Sequence, residues 1–238
     1  MKYLRLFKTE AEYLAANKEL PNVSYVKDTG NVYYNEKHAI DRSINAPLMN
    51  MMYGLSLAKN QDYMTYEEAA RVSSLNAADF ATYEVVSAWE LKYFTGLGEC
   101  PNFYNSGVTT LKYLYLPDHL TTIGSSKLGD LSDVILKLHY PESLTGKLPN
   151  SPAKGGGAGS ILYIGPNITG YSNTYANGWE TIICMSPAFT WAKTNNPATP
   201  IPIIYVKDEY VDDYKAVAPW TSWGSVKPLS EYTGDTDY

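Results

Sequence analysis

The sequence predicts an α+β fold: a small N-terminal β-α-β-β unit, then a short, irregular solenoid of repeated strands. Three observations lead there. A short apolar strand closed by proline recurs at Leu111 to Pro117, Val134 to Pro141, Ser160 to Pro166 and Thr181 to Pro187, with a fifth copy at Ile201 to Asp208. Aligned on the closing position, the copies lie 24, 25, 21 and 21 residues apart, and a near-fixed period of this length marks stacked repeats. The third observation is an opening segment with different punctuation, in which a helix start and a hairpin are legible before any repeat begins.

In the opening segment, residues 1–36, Tyr3, Leu4, Leu6 and Phe7 read as a strand. Thr9 and Glu12 form a capping box, in which hydroxyl and carboxylate each satisfy an orphan backbone N–H, and Pro21 ends the helix they start. Val23 to Val26 and Val32 to Tyr34, around Asp28-Thr29-Gly30, read as a β-hairpin. Residues 37–64 are a connector. Leu48, Met49, Met51, Met52, Tyr53, Leu55 and Leu57 cluster there behind Pro47, which suits the first turn of a helix. Methionine clusters fill cores or make adaptable contact surfaces, so Met49, Met51, Met52 and Tyr53 are the candidate binding residues.

The repeat region spans residues 65–231. Thr65 and Glu68 make a second capping box, for a helix to about Val72. Ala77 to Phe80 read as a loop anchored by Phe80, and Trp89 to Leu97 as the first strand of the stack. Inward residues such as Leu114, Leu116, Leu136, Leu138, Leu162 and Ile164 are expected to stack across neighbouring strands. The glycine-rich stretch from Lys154 to Ser160 reads as a flexible loop. Tyr210 to Val217 reads as a short helix, with Trp220 and Trp223 as a cap, and residues 232–238 as an acidic tail.

Composition excludes several function classes. The formal charge is -6, against the clustered Lys and Arg of a nucleic-acid groove, and no apolar run approaches the ~20 residues of a membrane span. After Met1 to Phe7, Glu10 and Glu12 follow at once, so no long apolar signal segment is expected. Tyrosine is abundant, at 22 copies against 5 Phe and 5 Trp. It suits both strands and contact surfaces. Cys100 and Cys184 are either free buried thiols or one bridge.

At 21–25 residues the strand period makes the leucine-rich repeat the first candidate architecture. Glu90 to Gly96, then Leu111 to Pro117 continuing into Leu120-Thr121-Thr122-Ile123-Gly124, and the ending Ile204-Tyr205-Val206 with Tyr214-Lys215 and Trp220, resemble the BspA-like, or type-5, leucine-rich repeats. Where those repeats carry Ala-Phe and Cys-Ser pairs after Ile-Gly, this chain has Ser125-Ser126-Lys127-Leu128. The opening unit, from Phe7-Lys8-Thr9 through Tyr25-Val26 to Val32-Tyr33-Tyr34, resembles a leader module of gut-bacterial surface proteins and of phage proteins from the same setting. The resemblance implies adhesion or protein binding and supplies no catalytic residues.

Chemistry-bearing motifs are sparse. His38, His119 and His139 are not at metal-ligand spacing, although His119 and His139 could meet on adjacent repeats. No Ser lies in a Gly-x-Ser-x-Gly elbow. No Gly-Lys-Ser/Thr closes the glycine stretch. Neither metal nor cofactor is expected. The sequence therefore predicts a non-catalytic structural or binding protein: a phage virion component (capsid decoration, head-fibre or tail-associated subunit), or alternatively a bacterial cell-surface adhesin. The expected partners are other virion proteins, a host-surface protein or glycan, or a second copy of the chain.

Overall fold

The computed structural model describes residues 25–26, 32–33, 38–124, 127–129, 131, 135–148, 155–171, 178–189, 202–217, 220 and 225–234. The expected strand at 3–7, the Thr9 helix, Lys154, Trp223 and most of the acidic tail lie outside those residues. β1 (Tyr25–Val26) and β2 (Val32–Tyr33) pair antiparallel as the expected hairpin. β3 (His38–Asp41) leads into helix α1 (Ala46–Gly54) and pairs antiparallel with β4 (Tyr63–Thr65). Pro47 sits in the first turn of α1, behind Asn45, whose side chain accepts from Leu48 N.

Helix α2 (Tyr66–Arg71) starts at the capping box read from sequence: Glu68 N donates to Thr65 Oγ1, and Thr65 N donates to Glu68 Oε2. Helix α3 (Ala77–Thr82) replaces the loop expected at Ala77 to Phe80. Asn76 starts it by accepting from Ala78 N at 3.1 Å, as N-cap residues do. Phe80 is fully buried, as expected of an anchor.

Seven strands then form one wholly parallel sheet in chain order: β5 (Ser87–Ala88), β6 (Tyr113–Tyr115), β7 (Lys137–Tyr140), β9 (Gly157–Ile164), β11 (Trp179–Cys184), β12 (Ile203–Val206) and β13 (Ser225–Pro228). Between them, β8 (Gly146–Leu148) and β10 (Ile168–Tyr171) make a small parallel pair, and helix α4 (Val211–Ala216) joins β12 to β13. The expected strand at Trp89 to Leu97 is instead a 3-10 turn over Trp89–Tyr93 that follows β5. Leu91, Phe94 and Leu97 are all fully buried, and an apolar interval of three fits three residues per turn, not the two-residue period of a strand.

This large parallel sheet with few, short helices is α/β-like and corrects the expected α+β fold with a leucine-rich-repeat solenoid. No solenoid is indicated among the described residues. The period specifies strands that recur and pair with the next in parallel. It does not specify what joins them, and the described connections differ: a 3-10 turn after β5, the β8 and β10 strands around β9, helix α4 after β12. The glycine stretch also departs from expectation, since Gly157 and Gly159 lie within β9 at φ of 86° and 78°, backbone that residues with a Cβ rarely adopt.

Register fixes the two faces. Ala88, Leu114, Leu138, Leu162, Ile182, Ile204 and Val226 are aligned neighbours on one face, and all but Val226 are buried. At about 1.5–3 kcal/mol for each large aliphatic side chain taken from water, this row is a major stabilising feature of the sheet. The apolar residues of the connector, among them Ala39, Ile40 and Met64, belong to the same continuous core as the sheet, so residues 37–64 pack with the repeat region. Cys100 and Cys184 are free and buried.

Candidate functional site

At the β5 edge of the sheet, β3, the turn after it and the 3-10 turn border a half-open pocket of about 230 Å³ lined by His38, Ala39, Asp41, Ile44, Trp89, Glu90, Lys92 and Tyr93. The chain folds this way because of two short polar side chains. Asp41 ends β3: its Oδ1 accepts from Ser43 N at 2.8 Å and Ser43 Oγ at 2.5 Å, and its carbonyl accepts from Ile44 N and Asn45 N. This turns the backbone back on itself. Asn45, 6% exposed, then donates from Nδ2 both to Ser87 O and to Glu90 Oε2, each at 2.9 Å. One amide thus joins the start of α1 to β5 and holds the Glu90 carboxylate in place.

The two carboxyls are driven apart electrostatically. Burial alone would raise Asp41, but the His38 ring beside it and the two Ser43 hydrogen bonds outweigh burial and hold it down at about 2. Glu90 goes the other way. Burial pushes it above the usual carboxylate range, and the Glu90 backbone, the Asn45 amide and Lys92 offset only part of that. His38 stacks on Tyr63, centroids 4.0 Å apart. Its side chain is 7% exposed, with Nδ1 3.8 Å from Asp41 Oδ2, too far for a hydrogen bond, and Nδ1 has no other partner among the described residues.

Beyond the pocket, the second face of the sheet carries aromatic rings on successive strands. Trp89 meets Tyr115 edge to face, and Tyr115, His139 and Tyr163 stack face to face with centroids 3.8 and 4.2 Å apart. Lys92 Nζ lies 5.7 Å from the Tyr115 centroid and 5.1 Å from that of Tyr93, within cation–π range. His139 is 3% exposed and Tyr163 6%. The middle rings therefore give their faces to each other. Ring surface remains at the pocket end, where Trp89 and Tyr93 stand.

The structure separates the candidate binding residues. Met49, Met51 and Met52 are fully buried in the core, whereas Tyr53 is 48% exposed, so the four do not form one surface. His119 and His139 do not share a site: His119 Nε2 meets Leu97 O, while His139 is held between two tyrosines. Among the described residues no group of three His, Cys, Asp or Glu could hold a metal ion, and no helix is long and apolar enough to cross a membrane.

The residues that converge differ from the sequence candidates: Trp89 and Glu90 fall in the expected first strand of the stack, and Asp41, Ser43 and Asn45 in the connector. Two local signals were present: Asp-x-Ser is an Asx-turn pattern, and Asn45, two residues before Pro47, marks a helix start. The long-range bond from Asn45 to Glu90 has no local signature. Compared with known proteins, the chain matches no family model, no curated protein and no solved structure.

Proposed function

We propose that the chain is a non-catalytic binding protein carried as a component of a phage virion, acting through the pocket at the β5 edge of its sheet. The observation that carries the binding role is the convergence of Asp41, Glu90, Lys92, Trp89 and Tyr93 on one small cavity. A concave site with a few converging polar groups and perturbed carboxyls is the form ligand sites take. Restraint argues for binding over reaction. Ser43 holds Asp41, and Asn45 holds Glu90, which orients both carboxyls as fixed acceptors.

The virion assignment rests on the resemblance of the opening unit to leader modules found in phage proteins. Mass spectrometry of purified particles tests it, and the chain is expected at a stoichiometry of structural proteins. Its absence from particles together with recovery from the bacterial envelope would replace the virion by the cell surface. Assay against a broad panel of glycosides and esters tests the non-catalytic role. Turnover that disappears in Glu90→Gln would overturn it.

A further inference from the structure

We infer that the pocket at the β5 edge holds a single uncharged sugar ring, the terminal residue of a glycan. The inference rests on the proposed binding role and adds the ligand class. Charge decides it first. Asp41 and Glu90 oppose an anion, and Lys92 on the same wall opposes a cation, so a neutral polar group is the one that meets no like charge. Hydrogen-bond capacity decides next. A carboxylate offers about four lone-pair sites. Asp41 accepts twice from Ser43, and Glu90 once from Asn45 and once from its own backbone, which leaves acceptors for hydroxyls. Lys92 supplies donors.

A hydroxyl both donates and accepts, so a polyhydroxylated ring satisfies this mixed set where a pure donor or pure acceptor would not. The C–H face of such a ring matches the aromatic wall of Trp89 and Tyr93. Size supports one ring. The cavity of about 230 Å³ is smaller than the roughly 300–1,000 Å³ of sites for drug-sized ligands.

The test is titration of the whole chain, labelled with ¹⁵N, by methyl glycosides of glucose, galactose, mannose, fucose and N-acetylglucosamine, with methyl sialoside and choline as charged comparators. The Trp89 indole N–H, assigned from Trp89→Phe, is expected to shift with at least one neutral glycoside at millimolar concentration. Both comparators are expected to bind at least about tenfold more weakly, a margin set by one unpaired charge. Glu90→Gln, which keeps the shape and the Asn45 hydrogen bond, is expected to weaken the glycoside about threefold to tenfold, the range of one ordinary hydrogen bond. An oligosaccharide ending in the same sugar is expected to bind as tightly as the glycoside or more tightly. Preference for sialoside or choline, or no indole shift with any neutral glycoside, would overturn the inference. So would loss of binding on passing to the oligosaccharide, which would make the ligand a free sugar. If particles contain the chain and no glycoside shifts the indole, the ligand class alone falls and the virion role stands.

Discussion

On one face of the parallel sheet, Ala88, Leu114, Leu138, Leu162, Ile182 and Ile204 form a single aliphatic row. On the other, Tyr115, His139, Tyr163, Ile183, Tyr205 and Lys227 follow one another at the next position along the same strands, and Trp89, just past the end of β5, meets Tyr115. The first row is uniform, and each member does the same thing as its neighbour. The second changes character along the sheet: aromatic and interlocked near the pocket, aliphatic at Ile183, aromatic again at Tyr205, charged at Lys227. Uniformity suits stability, since any aliphatic of the right volume serves. Variation along a face is where particular residues acquire particular neighbours, and the pocket lies at the aromatic end.

The contrast breaks most sharply at Leu138→Ala. Leu138 is 1% exposed between Leu114 and Leu162. Its removal leaves a cavity among packed neighbours, and a loss of about 2–5 kcal/mol is expected. Urea denaturation reads this as a lower midpoint at unchanged slope. Since Leu138 faces away from the aromatic row, the Trp89 indole response to ligand should persist in the folded fraction. A loss below ~1 kcal/mol would mean that the aliphatic row is not a major support of the sheet.

Second in size is an effect of pH on the aromatic row. Burial, with Lys92 adding to it, pushes His139 down to about 3, whereas an unfolded histidine titrates near 6.5. Between those values the unfolded chain binds a proton that the folded chain does not, so stability falls as pH falls through that window. The His139 contribution to the loss between pH 7 and pH 5 is about 2 kcal/mol. Asp41, lowered to about 2 from 3.8, adds its own loss only below the carboxylate range, so the two are separable. His139→Phe, which keeps a ring between Tyr115 and Tyr163, should flatten the profile from pH 7 to pH 5. Identical slopes in the two proteins would remove the neutral, buried imidazole from the account.

These two faces also explain what could be read in the sequence. Leu114, Leu138 and Leu162 were legible as stacking partners because strand alternation and a near-constant period both act locally and repeat. The capping box at Thr65 and Glu68 was legible for the same reason: both partners lie within one helical turn. The architecture was not. A recurring strand fixes parallel neighbours but leaves open the path between them, and that path decides between a closed coil and a sheet with unlike crossovers. The pocket was not legible either. Asn45 and Glu90 are 45 positions apart, and His38 reaches the site only because β3 pairs with β4. Met49, Met51 and Met52 are conspicuous in sequence, yet helix α1 turns all three into the core.

A third, smaller effect joins the two ends of the aromatic row. Tyr115 touches Trp89 by edge and His139 by face, and its hydroxyl donates to Asp118 at 3.1 Å. Tyr115→Ala is expected to cost about 1–2 kcal/mol, from lost ring contact together with half-buried apolar area. It should also admit water beside His139, so the imidazole pKa, followed by NMR, is expected to rise toward the ordinary histidine range. An unchanged His139 titration would mean that Tyr163 and the neighbouring strands alone keep it dry.

The smallest effect is expected at the far side of the second face. Thr181, on β11, aligns with Ile161 and Ile203 and is only partly buried. Valine has nearly the same shape and a higher preference for strands, and no described hydrogen bond depends on the threonine hydroxyl. Thr181→Val should therefore change stability by no more than about 0.5 kcal/mol and leave the pocket response intact. The comparison with Tyr115→Ala is then internal to one face. Both positions sit on parallel strands of the same sheet, β6 and β11, with β7 and β9 between them, but one is tied to a ring network that reaches the pocket and the other is not. If Thr181→Val proved as costly as Tyr115→Ala, the second face would be uniformly demanding, and its aromatic end would have no special claim to the site.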